Sequence, residues 1–194
     1  AKRLPLVELF KNNTMTFVAG SSWQPDEDLF IEYFNQHPEV KLIIAPHVID
    51  ENHLVEIIRK LKRPYVRYTR ANEKNVRKAD CLIIDCFGLL SSIYRYGEIA
   101  YIGGGFGVGI HNTLEAAVYG IPVIFGPKYQ KFQEAIQLLE TKGAFSVKDY
   151  EELKTLLDRM LTDEVFLRES GMNASNYVTS NAGATDKIMS MINF

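Results

Sequence analysis

Short runs of β-branched and aliphatic residues alternate along the chain with stretches whose apolar positions recur at helical spacing. That alternation predicts a parallel sheet covered by helices. The pattern places strands at Met15 to Ala19, Lys41 to Ala45, Tyr65 to Tyr68, Cys81 to Asp85, Ile99 to Ile102, Pro122 to Phe125 and Ala144 to Val147. Several are apolar at consecutive positions, as in Leu42-Ile43-Ile44 and Leu82-Ile83-Ile84, which is expected of strands buried on both faces. Pro25 followed by Asp26, Glu27 and Asp28 marks a helix start, with proline in the first turn and acids at the positive end of the dipole. Leu114, Ala117, Val118 and Ile121 predict one buried helical stripe, and Leu153, Leu156, Leu157 and Met160 repeat the spacing. After Thr162 the pattern is purely helical, and Asp163 to Tyr177 and Thr185 to Met191 are expected on the outside of the sheet. The predicted fold class is α/β, a Rossmann-like parallel sheet with helices on both faces.

Composition narrows the picture further. The 194 residues, 46% hydrophobic and 24% charged, suffice for one sizeable core, so a single domain over residues 1–194 is expected. The 22 basic and 24 acidic residues leave a formal net charge of -2 with no basic stripe, so nucleic acid is not an expected partner. Apolar runs such as Cys81 to Ile84 and Ala116 to Tyr119 fall far short of the ~20 residues that span a bilayer. The chain opens on Ala1 with no signal segment, and it is expected to be cut from a longer protein. Cys81 and Cys86 flank a predicted strand with side chains on opposite faces, so no disulfide is expected between them. Without a C-x-x-C or a Cys/His pair at ligand spacing, they read as small buried residues of a cytoplasmic protein, and neither metal nor cofactor is expected.

In an open parallel sheet, ligands bind beyond the carboxyl ends of the strands, which directs attention to four strand-to-helix loops. The first runs Gly103-Gly104-Gly105-Phe106-Gly107-Val108-Gly109-Ile110-His111-Asn112-Thr113-Leu114-Glu115. Its glycines and the following helix start suit a phosphate or carboxylate, although a tight turn with an Asn112/Glu115 capping box would use the same residues. No register gives G-x-G-x-x-G, and Ile110 and His111 stand where a P-loop needs Lys and Ser/Thr, which disfavours both a dinucleotide site and a nucleoside triphosphatase. The second loop, Gly20-Ser21-Ser22-Trp23, offers hydroxyls to an anion or Ser22 as an N-cap. The third is Pro46-His47, an imidazole at a strand end that suits either a ligand or plain surface. In the fourth, Asp85-Cys86-Phe87-Gly88-Leu89-Leu90, the glycine could let a flat base lie against the backbone.

In order and spacing these motifs resemble those of the C-terminal, donor-binding lobe of the Kdo (3-deoxy-D-manno-octulosonic acid) transferases, two-lobed GT-B glycosyltransferases. Those enzymes carry Gly-Ser-Thr, Pro-Arg-His, Gly-Glu-Leu, Gly-Gly-His-Asn-x-Leu-Glu and Gly-Pro in turn. Here stand Gly20-Ser21-Ser22, Pro46-His47, Gly88-Leu89-Leu90, Gly104-Gly105 leading to His111-Asn112-Thr113-Leu114-Glu115, Gly126-Pro127 and then Phe132. The resemblance spans Thr14 to Val147. It implies that Gly20, Ser21 and Ser22 face the donor phosphate, that Gly88 and Leu89 lie by the cytosine, and that Asn112 and Glu115 bind CMP. Pro46, His47, Gly104, Gly105 and His111 complete the implied substrate-binding set. The chain departs from the pattern at three points. It lacks the arginine before His47 and the glutamate after Gly88, and it has Ile110 in place of a glycine.

The resemblance further implies inverting, metal-free transfer of Kdo from CMP-Kdo to a lipid A precursor in lipopolysaccharide core biosynthesis, at the cytoplasmic face of the bacterial inner membrane. The general base would come from a carboxylate of an N-terminal lobe absent from this chain, so no catalytic residue is assigned. That lobe would also hold the acceptor and provide the membrane contact. Alternatives compatible with the same fold class are a nucleotide-sugar 2-epimerase-like domain using a UDP-sugar and a non-catalytic, flavodoxin-like nucleotide-binding module.

Overall fold

The computed structural model describes residues 2–192, apart from the side chains of residues 185 and 186. The seven strands lie in one parallel sheet of order β3-β4-β2-β1-β5-β6-β7, at β1 (Thr16–Ser22), β2 (Lys41–Pro46), β3 (Tyr65–Arg67), β4 (Cys81–Ile83), β5 (Ile99–Ile102), β6 (Val123–Phe125) and β7 (Ala144–Ser146). Each falls where the hydrophobic runs predict one, with ends moved by a few residues at most. Tyr68 leaves β3 for a 3-10 turn, and β1 continues through Ser22.

Strand side chains alternate between two cores, and each core selects its own helices. Phe17, Ala19, Leu42, Ile44, Ile99 and Tyr101 face one side. There they meet α2 (Gln24–Gln36), α3 (Glu51–Lys60) and α8 (Tyr150–Thr162) through Phe30, Phe34, Leu54, Ile57 and Leu157. Val18, Ile43, Leu82, Ala100 and Val123 face the other side. Their cover comes from α1 (Pro5–Lys11), α4 (Glu73–Lys78), α5 (Leu90–Ile93), α6 (Leu114–Ala117), α7 (Gln133–Glu140) and α9 (Glu164–Ile192). Both faces are therefore dry, which is why the strands read as continuous apolar runs.

Three expectations change. The stripe through Leu114 and Val118 does not form, because α6 is a single turn that buries Ala116 and Ala117 and leaves Val118 54% exposed. The two segments after Thr162 are one helix, α9; glycine inside a helix costs only about 1 kcal/mol against alanine, so Gly183 does not break it. Cys81 is buried as expected, whereas Cys86 is partly exposed, and both are free thiols. Among the described residues no helix is long and apolar enough to cross a membrane.

One close approach controls the end of β1. A Cβ at Gly20 would lie 1.8 Å from the hydroxyl of Tyr94, a side chain fully buried beneath the strand. At Gly107 a Cβ would meet nothing nearer than the Gly104 carbonyl at 4.0 Å. Gly20→Ala is expected to destabilise the fold by roughly 1–3 kcal/mol, the range of an overpacked core. Gly107→Ala should stay within about 0.5 kcal/mol, as surface changes do. Urea denaturation of the two variants checks this, and equal midpoints would contradict the packing account.

Candidate functional site

The order of the sheet reverses at β1: β2, β4 and β3 lie to one flank, and β5, β6 and β7 to the other. The loops that leave β1 and β5 run apart, and the crevice between them at the carboxyl ends of the strands is where open α/β sheets take ligands. The sequence of this chain supplies three strand ends to that crevice.

The end of β1 is built around two buried acids. Ser21 takes a left-handed φ of 53°, and the ladder to β2 skips one residue between Gly20 and Ser22. That bulge turns the chain into α2, whose first turn carries Asp26 and Glu27. Asp26, 1% exposed, accepts the Trp23 amide at 2.9 Å and the Gly104 amide at 3.1 Å on one oxygen, and the Tyr101 hydroxyl at 2.6 Å on the other. One carboxylate thus ties the loop after β1 to the loop after β5. Burial raises its pKa above the ordinary aspartate range, against the opposing pull of those three hydrogen bonds and His111. Glu27, also buried, accepts the Ser22 hydroxyl at 2.7 Å and lies 3.0 Å from His53 Nε2. The Ser22 hydroxyl is therefore committed to the protein interior.

Above this frame three rings pack together. Trp23 stacks on His47 with centroids 4.5 Å apart, and His47 stacks on His111 at 4.6 Å. The Trp23 indole N–H points at His111 Nε2, 3.4 Å away. His47 is held by its amide, which donates to the Ser22 carbonyl at 3.0 Å, directly after the buried Pro46. Burial and the neighbouring His47 lower the pKa of His111, while Asp26 acts in the opposite direction.

The glycine loop is compact. Gly104 has φ +98°, and a Cβ there would lie 2.2 Å from the Gly109 carbonyl, so this glycine closes the loop on itself. Gly105 is buried and its carbonyl accepts the Lys128 amide at 2.8 Å. The alternative use of Asn112 and Glu115 as a capping box is not realised: Asn112 Oδ1 accepts the Leu114 amide at 2.9 Å, and α6 ends after one turn. Without several aligned turns the dipole at this helix start is slight. Among the described residues the main-chain N–H groups of Asn112 and Thr113 meet no acceptor within the chain. Glu115 lies partly buried and adds to the rise in the pKa of Tyr94, which burial dominates.

Of the site residues expected from sequence, Ser21, His47 and His111 keep exposed surface at or just beyond the carboxyl ends of β1, β2 and β5, whereas Gly20, Ser22, Pro46, Gly104 and Gly105 are buried. Gly88 and Leu89 lie in the loop after β4, which carries an 81% exposed Phe87. That loop is braced by Asp85, which accepts the Thr69 hydroxyl at 2.6 Å and pairs with Arg67 at 2.9 Å. Desolvation pushes the Asp85 carboxyl up, but Thr69 and Arg67 together hold it below the usual range. Trp23 and Asp26 were not anticipated as site residues. Their signal was the apolar ring and paired acids directly after Ser22, which read equally as an ordinary helix start. Beside the stack, Trp23, Pro25, Asp26, Gly104, Phe106 and Val108 line a cavity of about 290 Å³. Lys128 and Lys131, with Gly109 and Phe132, line another of about 520 Å³. Among the described residues no three His, Cys, Asp or Glu side chains converge as metal ligands would.

No family model matches the chain. A 3-deoxy-D-manno-octulosonic acid transferase of Aquifex aeolicus is 34% identical over 151 residues, which are 75% of this chain and 41% of that protein. A bifunctional glycosyltransferase/methyltransferase of Fusobacterium nucleatum is 30% identical over 173 residues, 84% of this chain and 27% of that protein. The chain thus spans well under half the length of these relatives. Among solved structures, the C-terminal CMP-Kdo binding domain of WaaA from Acinetobacter baumannii superposes with a TM-score of 0.77 at 18% identity, covering 91% of this chain and 99% of that one. The fold is that of the C-terminal lobe of a GT-B glycosyltransferase.

The Asp26 clamp has a pH signature. Because its folded pKa is raised, its contribution to stability is present in full below the unfolded value, about 3.9, and is lost as pH rises through the folded value. Asparagine at this position does not titrate. Urea midpoints of the wild type are therefore expected to fall relative to those of Asp26→Asn as pH rises above about 4. Parallel curves would mean that the carboxyl ionises as freely in the folded protein as in the unfolded chain.

Proposed function

From a chain homologous to the Kdo transferases along most of its length, we propose a donor-nucleotide-binding lobe that takes CMP-Kdo. It serves transfer of Kdo to a lipid A precursor in lipopolysaccharide core biosynthesis, at the cytoplasmic face of the bacterial inner membrane. The observation that carries this reading is the crevice at the β1/β5 switch point, in a chain whose motifs there follow the transferase order and depart from it only before His47, after Gly88 and at Ile110. The donor phosphate lies at the Ser21 turn, His47 and His111, within reach of the Asn112 and Thr113 amides. The cytosine lies against the Gly88-Leu89 loop, and Glu115 and Asn112 serve the ribose side.

Chemically, this lobe stabilises the departing CMP. As the glycosidic C–O bond breaks, negative charge grows on the phosphate, and main-chain N–H and imidazole donors already aimed at it lower the barrier. Removal of the acceptor proton requires a base within hydrogen-bond reach of that hydroxyl, and this belongs to a second, acceptor-binding lobe. The 41% share of the Aquifex aeolicus relative spanned by this chain leaves ample length for such a lobe in that protein.

Calorimetric titration with CMP and UDP tests the nucleotide assignment: CMP should bind measurably and more tightly than UDP. Asn112→Ala and Glu115→Ala should each weaken CMP binding by at least ~1 kcal/mol, about fivefold, with the far-UV dichroism unchanged. Preference for UDP would overturn the donor assignment. Kdo transfer by the isolated chain would overturn the assignment of the base to another lobe.

A further inference from the structure

A phosphate needs compensating charge, yet the walls of the crevice carry little that is permanently positive. Lys128 and Lys131 belong to the adjoining cavity beyond Gly109, and Arg67 is paired with Asp85 and Glu51. What faces the stack is otherwise acidic or neutral: Asp26 from α2, with Glu27 turned away toward Ser22 and His53, and the indole of Trp23.

The His111 imidazole is also arranged to be neutral while the crevice is empty. An indole N–H can only donate, so the His111 Nε2 that faces it at 3.4 Å acts as acceptor, and the proton of that ring sits on Nδ1. Two imidazolium rings stacked 4.6 Å apart would repel, so the pair readily accepts one proton but resists two. His47 also lies on Trp23 at 4.5 Å, and an indole face favours a cation. An arriving phosphate would attract that cation from outside.

We infer that the stacked His47–His111 pair takes up one proton from solvent when a nucleotide phosphate enters the crevice, making donor binding proton-coupled. The inference rests on the donor-site reading above. Its proton balance is simple: the buffer acid gives up one proton, the pair gains it, and no covalent bond to the nucleotide changes. When the product leaves, the proton returns. A site with a fixed guanidinium would show no such exchange; here, affinity for the phosphate rises as pH falls.

The test is calorimetric titration of the protein with CMP at about pH 7.5, where most of the nucleotide is dianionic because its second phosphate pKa is about 6. Two non-phosphate buffers of different ionisation enthalpy are compared. The observed enthalpy is expected to differ between buffers by an amount matching up to one proton taken up. The CMP dissociation constant should weaken by up to about tenfold per pH unit above that pH, the limit for one linked proton. Cytidine, which has no phosphate, should show no buffer dependence. His47→Gln and His111→Gln should each bind CMP more weakly and without it.

As a readout independent of any variant, carbon-13 NMR of the wild-type imidazoles should show a ring titration displaced upward by CMP. CMP binding with identical enthalpy in both buffers, or with no displaced ring titration, would overturn this inference and leave the donor site standing. Proton uptake with cytidine would overturn it by removing the phosphate from the cause. Absence of CMP binding in any buffer would overturn the donor-site reading and this inference with it.

Discussion

Everything at the switch point hangs on a carboxylate withdrawn from water. Asp26 sits at the start of α2, yet its partners come from three places: the Trp23 amide beside it, the Tyr101 hydroxyl in β5 and the Gly104 amide beyond that strand. A crevice between diverging loops has no inherent width, since nothing in a parallel ladder joins the loops once the strands end. The carboxylate provides the missing cross-tie, and burial strengthens each of its hydrogen bonds while making the free charge expensive. The aromatic stack depends on it, because Trp23 and His111 are set by the two loops that it joins.

The tie also explains the division of labour among the glycines. Most of the residues that look like a phosphate cradle in sequence are small because protein, rather than ligand, fills the space. Gly20 yields to Tyr94, and Gly104 to the turn that its own loop makes. What remains available to a ligand is a rim made of the Ser21 bend, the two imidazoles and the amides of Asn112 and Thr113. On the proposed donor-site reading, recognition lies with a few atoms at the mouth, and the glycine-rich backbone behind them acts as a scaffold.

The sheet was legible in the chain because strands buried on two faces leave an unmistakable mark: uninterrupted aliphatic runs such as Leu42-Ile43-Ile44. The loops that border the switch-point crevice were legible too, since glycine and hydroxyl residues cluster where such strands end. The helix at Leu114 was misjudged because spacing records only which residues could share a face; it carries no signal that the turn stops at Ala117. The pairing of Ser22 with Glu27 was hidden for a similar reason. A hydroxyl and an acid near a helix start suit solvent as well as each other, and only the bulge at Ser21 turns them inward. The stack of Trp23, His47 and His111 joins three strand ends far apart in sequence, so no local pattern could announce it.

Both flanks of the sheet end in stubs. β3 and β7 are three residues each, against seven in β1 at the centre. An outer strand exposes main-chain groups to which a stranger's strand can zip, and the hazard grows with its length. Such narrow margins leave neighbouring molecules almost nothing to grip, so copies that collide need not fuse edge to edge.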